Sequence, residues 1–199
     1  MTLIIGLTGS IASGKSTVSA MFTSFNIPVV DADKISRLVV KPGEQAYKDI
    51  VGTFGPDILQ TDNTINRKKL GDIIFSDVDK RKQLNAIVHP AVRKRMLKER
   101  DEHIQSGHPC VVLDIPLLFE SNLTHFVNTT VLVYVEEHIQ VKRLMDREGY
   151  TEAEACQRIN SQIPMDEKKQ MADIVLDNNG TKEETYQQLK RYLQKQNVI

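Results

Sequence analysis

The stretch Gly9-Ser-Ile-Ala-Ser-Gly-Lys-Ser16 is a complete G-x-x-x-x-G-K-[ST] loop. It stands directly behind the apolar run Thr2-Leu-Ile-Ile-Gly-Leu7 and ahead of a helical pattern. Strand, loop and helix in that order specify a site for a nucleoside triphosphate. The two glycines let the main chain wrap a diphosphate with successive N–H groups pointing inward, and the following helix aims its positive end at the same anion. Lys15 is then expected to reach the β- and γ-phosphates, and Ser16 to supply a hydroxyl for Mg²⁺. Val18, Met21, Phe22 and Phe25 follow at i, i+3, i+4 and i+7, a stripe expected to pack on a sheet.

Outward from the loop, four more short apolar runs read as buried strands. With residues 3–8 they are 28–31, 111–115, 130–135 and 174–176. Helical patterns separate them, which predicts an α/β fold, a five-stranded parallel sheet with helices on both faces. Thr181-Lys-Glu-Glu184 and Thr151-Glu-Ala-Glu154 are capping-box sequences, the first opening a final helix whose Tyr186, Leu189 and Leu193 share one face. The connection between the second and third strands is far longer than usual and helical in pattern, so a functional helical insertion is expected there. Within it, Pro42-Gly43, Gly55-Pro56 and His89-Pro90 are expected breaks. A second helical excursion, from Glu136 to about Ala172, carries Arg143, Arg147 and Arg158 and reads as a lid.

Composition narrows the partners. The 199 residues are 40% hydrophobic, enough for one full core, and 26 basic residues balance 26 acidic ones. Zero net charge gives no field favouring nucleic acid or an anionic membrane, so a small-molecule partner is expected. The basic runs at 80–82 and 93–95 are interleaved with acids and read as solvated helix faces. Cys110 and Cys156 show neither metal nor redox spacing, which suits a reducing cytosol. No basic leader precedes the first strand and no apolar stretch approaches ~20 residues, so a cytoplasmic chain, neither targeted nor membrane-spanning, is expected. Balanced charge and no evident apolar stripe point to a monomer.

The reaction depends on what else faces the γ-phosphate. Asp31-Ala-Asp33 lies just after the second strand, where the carboxyl ends of parallel strands collect ligands. The two aspartates there can divide the labour, one toward a metal-bound water and one accepting a proton from an incoming hydroxyl; alternatively Asp33 caps a helix starting at Lys34. Asp114 ends the third strand and either joins a metal shell through water or bonds the phosphate loop. Pro116-Leu-Leu-Phe119 forms a substrate wall or closes the core. Arg143 and Arg147, four apart on one helix face, can approach one anion, or else pair with surface acids such as Glu136, Glu137 or Asp146. His89 has no partner spaced for metal or nucleophilic chemistry and reads as structural or substrate-contacting.

Taken together, residues 6–18, Asp31-Ala-Asp33, Val88-His-Pro90 and Asp114-Ile-Pro-Leu-Leu-Phe-Glu120 make the chain resemble the dephospho-coenzyme A kinase family. Gln140-Val-Lys-Arg-Leu-Met-Asp-Arg147, residues 158–162, Ala172-Asp173 and Asp177-Asn-Asn-Gly180 extend the resemblance over nearly the whole length. The resemblance implies a P-loop kinase fold of the nucleoside-monophosphate-kinase type. Its core would be 1–34, 109–136 and 173–199, with a coenzyme-binding insertion at 35–108 and a lid at 137–172. It implies ATP- and Mg²⁺-dependent phosphorylation of the ribose 3′-hydroxyl of dephospho-coenzyme A. Asp33 would accept the proton, and Lys15 and Arg143 would stabilise the moving phosphoryl group. ATP would contact Ser10, Ile11, Ala12, Ser13, Gly14, Lys15, Ser16 and Thr17, with Arg147 and Asn178 near its base. The acceptor would meet Asp33, Arg37, His89, Leu117, Leu118 and Phe119, and Ser16 would touch the metal. The loop departs from the family's usual pattern at Ser10 and Ala12, where glycine is frequent. From the residues alone, another small-metabolite kinase or a nucleotide-dependent switch stays open, although no Asn-Lys-x-Asp guanine-reading segment is present.

Overall fold

Five strands, β1 (Leu3–Gly9), β2 (Val29–Asp31), β3 (Cys110–Asp114), β4 (Thr129–Tyr134) and β5 (Ile174–Asp177), form one parallel sheet in the order β2-β3-β1-β4-β5. All five expected strands are present, each within two residues of its expected bounds. The computed structural model describes residues 2–199. It divides into two compact units, one holding the residues up to Val30 together with Arg100–Ile199, the other Asp31–Glu99.

In the first unit the phosphate-loop strand is central, pairing with β3 from Leu3↔Cys110 to Leu7↔Asp114 and with β4 from Ile5↔Thr129 to Gly9↔Val133. A strand buried on both faces needs apolar residues on both, which is why these runs lack alternation. Ile5, Leu7, Val131 and Val133 face a layer built from α1 (Lys15–Ser24) and α9 (Lys182–Lys195). There Val18, Met21 and Phe22 are buried, and Phe25 stacks on Tyr186 with ring centroids 5.1 Å apart. Leu132 serves the other face with Met165 of α8 (Met165–Met171). Gly6 is required by close approach, since a Cβ there would sit 2.9 Å from Leu118 Cδ2 and against both methyls of Val127.

Following β4, α6 (Glu137–Glu148) and α7 (Glu152–Ile159) pair around Val141, Leu144, Ala155 and Ile159. Both capping boxes form: Thr151 caps α7 with Glu154 reaching back, and Thr181 does the same for α9 with Glu184. The carboxyls of Glu154 and Glu184 are held below their usual range by backbone and side-chain hydrogen bonds to the capping threonines. Lys168 on α8 is wholly buried, its Nζ 2.7 Å from Glu120 Oε1. Burial pushes the Cys110 thiol up to about 12.

The second unit is helical: α2 (Ala32–Leu38), α3 (Gln45–Phe54), a 3₁₀ turn (Pro56–Ile58) and α4 (Arg67–Phe75). Its core gathers Ile50, Ile58, Ile65 and Leu70, with Leu84, Ile87 and Val88 packed against them. Pro42-Gly43 lies between helices and Gly55-Pro56 ends α3, as their chemistry requires. Pro90 does not break the chain. The helix α5 (Val78–Gln105) runs through it. Proline removes one N–H and crowds the carbonyl four residues back, yet 28 residues of continuous helix leave enough other bonds to carry the chain across. Phe75 and Val78 are exposed apolar residues. Among the described residues no helix is long and apolar enough to cross a membrane.

Candidate active site

β1 ends at Gly9, and the chain turns through residues 10–14 before α1 begins at Lys15. The turn closes with Ser13 N–H donating to Ser10 O at 3.1 Å, and two left-handed residues, Ala12 (φ 59°) and Gly14 (φ 90°), curl it. Gly14 is obligatory: beyond its positive φ, a Cβ would collide with Asn178 Nδ2. Ala12 tolerates a conformation that costs an L residue about 1–2 kcal/mol. Its side chain and that of Ile11 pack against the α6–α7 cluster.

The curled loop leaves donors without acceptors. Among the described residues, the N–H groups of Ala12, Gly14, Lys15 and Ser16 make no hydrogen bond to the protein. The hydroxyls of Ser10 and Ser13 are buried and equally unpartnered. A buried polar group left unpaired costs about 1–3 kcal/mol, so a concentration of them marks a place shaped for an acceptor-rich ligand. Phosphate oxygens fit that donor set.

Lys15 Nζ lies 2.5 Å from Asp114 Oδ1, a carboxylate 4% exposed at the end of β3. The pairing of β1 with β3 sets them together, since Asp114 is the register partner of Leu7. Of the two alternatives for Asp114, the structure contains the bond to the phosphate loop. No group of three or more His, Cys, Asp or Glu able to hold a metal occurs among the described residues. Of the side chains at the loop, the exposed Ser16 at the head of α1 could offer an oxygen to a cation.

Arg143 Nη2 donates to Asn178 O at 2.9 Å, just beyond β5. The Asn178 side chain donates to Ser13 O (2.7 Å) and accepts from Thr185 Oγ1 (2.9 Å), bracing the loop from below. Arg147 pairs with Glu148, a neighbour not among the acids expected for it. Arg158 lies over the Tyr150 ring, 4.4 Å from its centroid. The arginines expected to act together are thus brought to different partners. The turn after β3 divides: Leu118 and Phe119 are buried in the core and Leu117 is 42% exposed, leaving one of the three a face to present.

In the second unit, Asp31 rather than Asp33 is the N-cap of α2, accepting from Lys34 N–H at 2.9 Å, and the helix begins at Ala32, not Lys34. Asp33 therefore sits in the first turn, exposed, its carboxylate without a hydrogen bond or ion pair among the described residues. Arg37, on the same helix, lines a cavity of about 820 Å³ together with Lys34, Lys41 and Arg67 and with the apolar Leu38, Ile50 and Leu84. Sequence reading found Arg37 through resemblance and missed the other three cations. His89 is exposed on α5.

The family sequence model described as dephospho-CoA kinase matches residues 3–184. The chain belongs to the dephospho-CoA kinase family. A curated relative from Oceanobacillus iheyensis, named dephospho-CoA kinase, is 61% identical over 198 residues and covers both chains completely. Among solved structures, a Thermus thermophilus protein superposes with a TM-score of 0.80 at 34% identity, covering 98% of this chain and 97% of its own. The dephospho-CoA kinase from Campylobacter jejuni gives 0.75 at 28% identity, with the same coverage. Family membership makes the chain a kinase that uses ATP and small-molecule substrates.

Proposed function

We propose that this chain transfers the γ-phosphoryl group of ATP to the ribose 3′-hydroxyl of dephospho-coenzyme A. This is the last step of coenzyme A biosynthesis, the step to which the family belongs. The observation that carries the nucleotide half of the reading is the set of unpaired amides and buried hydroxyls along residues 10–16. For the acceptor half, the cavity of the second unit offers cations over apolar walls, a chemistry suited to a diphosphate joined to an aliphatic arm.

Phosphoryl transfer asks a protein mainly for positioning and charge stabilisation. Lys15, held by Asp114, is pre-placed at the loop and shifts toward the β- and γ-oxygens when they enter. Arg143 approaches the same charge from α6. Asp33, uncommitted in the first turn of α2, accepts the hydroxyl proton as the acceptor oxygen attacks. Ser16 would help hold magnesium, which would supply neutralisation of the phosphate charge there. Arg147 and Asn178 border the adenine end, and Arg37, His89 and Leu117 meet the acceptor. Its setting is the cytoplasm, as a monomer.

The test follows ADP release from MgATP with a panel of alcohols. Strong stimulation by dephospho-coenzyme A alone is expected; acceptor-independent hydrolysis, or binding without turnover, overturns the reading. Asp33→Asn is expected to lower kcat by about 10²–10⁴ with ATP affinity retained, the range for loss of a positioned base.

A further inference from the structure

Ile11, at the tip of the phosphate loop, is gripped on both its main-chain groups from outside the loop. Gln140 of α6, 1% exposed, donates from Nε2 to Ile11 O at 2.6 Å. Ile11 N–H donates to Oε1 of Gln162, in the segment between α7 and α8, at 3.0 Å. Neither glutamine has a role in the chemistry above.

A trans peptide is planar, with its C=O and N–H pointing in opposite directions. Ile11 C=O and Ala12 N–H belong to one plane, so the glutamine that grips the carbonyl aims the amide the other way. Ala12 N–H is one of the loop amides with no acceptor in the protein. The same construction recurs two residues on, where Asn178 grips Ser13 O at 2.7 Å and Gly14 N–H is the free opposite end. Gln162 fixes the plane before: it holds Ile11 N–H while Ser10 O, at the far end, accepts from Ser13 N–H. Three successive constraints thus lock the tip, and the side chains of Ile11 and Ala12 add packing against α6 and α7.

We propose that Gln140, seconded by Gln162, is a positioning residue for phosphoryl transfer, which aims the Ala12 amide at a phosphate oxygen by holding the opposite end of its peptide plane. The inference rests on the reading of residues 9–16 as a triphosphate cradle. Replacing Gln140 with Met keeps length and apolar bulk but frees the Ile11 carbonyl, so the plane can rotate and the amide misses its target. Loss of one hydrogen bond to a charged group corresponds to about tenfold or more in affinity.

The experiment compares the wild type with Gln140→Met and Gln162→Met by steady-state kinetics, thermal melting and amide hydrogen exchange on the MgADP complex. Gln140→Met is expected to raise the KM for MgATP about tenfold with the acceptor's KM within about twofold. In the MgADP complex its Ala12 amide should lose protection while Gly14, still aimed by Asn178, keeps it. Gln162→Met, at a less buried position, should give the same pattern more weakly, and it carries the test if Gln140→Met does not fold. An unchanged KM for MgATP, an equal rise in both Michaelis constants, or undiminished Ala12 protection overturns the proposal, as does a fall in melting temperature alone. Failure of the wild type to bind MgADP or turn over MgATP would instead strike the proposed function.

Discussion

Removing either partner of the Glu120–Lys168 pair should destabilise the protein, while removing both should not. Lys168 is fully buried and Glu120 keeps 19% of its side chain exposed. Their contact is close at 2.7 Å, yet Nζ has no well-aligned hydrogen bond and Glu120 Oε2 is buried without a partner. Among the described residues only Ile163 N–H, at 3.3 Å from Oε1, adds support. Coulomb attraction therefore has little help in offsetting the desolvation of two charges. Stranding one charge in such a place costs about 3–5 kcal/mol, and the partial exposure of Glu120 puts Glu120→Met, which strands the better buried ammonium, at the upper end. At roughly 2–4 °C per kcal/mol for a chain of this size, each single substitution should lower the melting temperature by about 6–20 °C. Glu120→Met/Lys168→Met should return to the wild-type value or exceed it, because well-packed apolar side chains often match or improve on a buried pair. Differential scanning calorimetry on the four proteins completes a double-mutant cycle. Singles within about 2 °C of wild type, or a double variant as damaged as the sum of the singles, would refute the reasoning.

Gly14→Ala combines a positive φ with a collision against the Asn178 amide, so it should abolish measurable turnover and weaken MgATP binding at least tenfold, read by calorimetry. Cys156 should react with iodoacetamide at pH 8 in the native protein while Cys110 stays unmodified until denaturant is added; its thiol, buried and pushed up to about 12, holds almost no thiolate at that pH. Thr181→Ala should lower stability by about 1 kcal/mol in urea titrations, the usual cost of losing an N-cap. Because the carboxyls of Glu154 and Glu184 lie below their ordinary 4.5 when folded, the unfolded chain binds more protons as pH falls. Their contribution is complete above that value and is lost as pH drops below it. Thr181→Ala should therefore flatten the decline of melting temperature between pH 5.5 and 3, and an unaltered slope would contradict the assignment.

Local signals made the frame legible. The glycines and lysine of the phosphate loop, the capping boxes at Thr151 and Thr181, and the Val18-to-Phe25 stripe each depend on neighbours a few residues away. What escaped depends on distance in the chain. Gln140 and Gln162 are unremarkable in sequence, and nothing local shows that both end on Ile11. Lys168 reads as one more charge on a helix and is buried by tertiary packing instead. The sequence makes Asp33 the candidate cap, and only the backbone shows that Asp31 takes the role. The usual effect of Pro90, a break, is overridden by a long helix.

The strand order also governs how the chain can assemble during synthesis. β1 leaves the ribosome before the other four strands, yet Leu3 waits for Cys110 and Gly9 for Val133, partners more than a hundred residues downstream. At roughly 5–20 residues per second the phosphate-loop strand spends about 5–20 s with both edges bare. The unit of residues 31–99 is contiguous and is translated in that interval, so it can collapse while β1 still lacks both of its neighbours. Nascent chains of this protein should accordingly be most vulnerable to aggregation before β4 emerges.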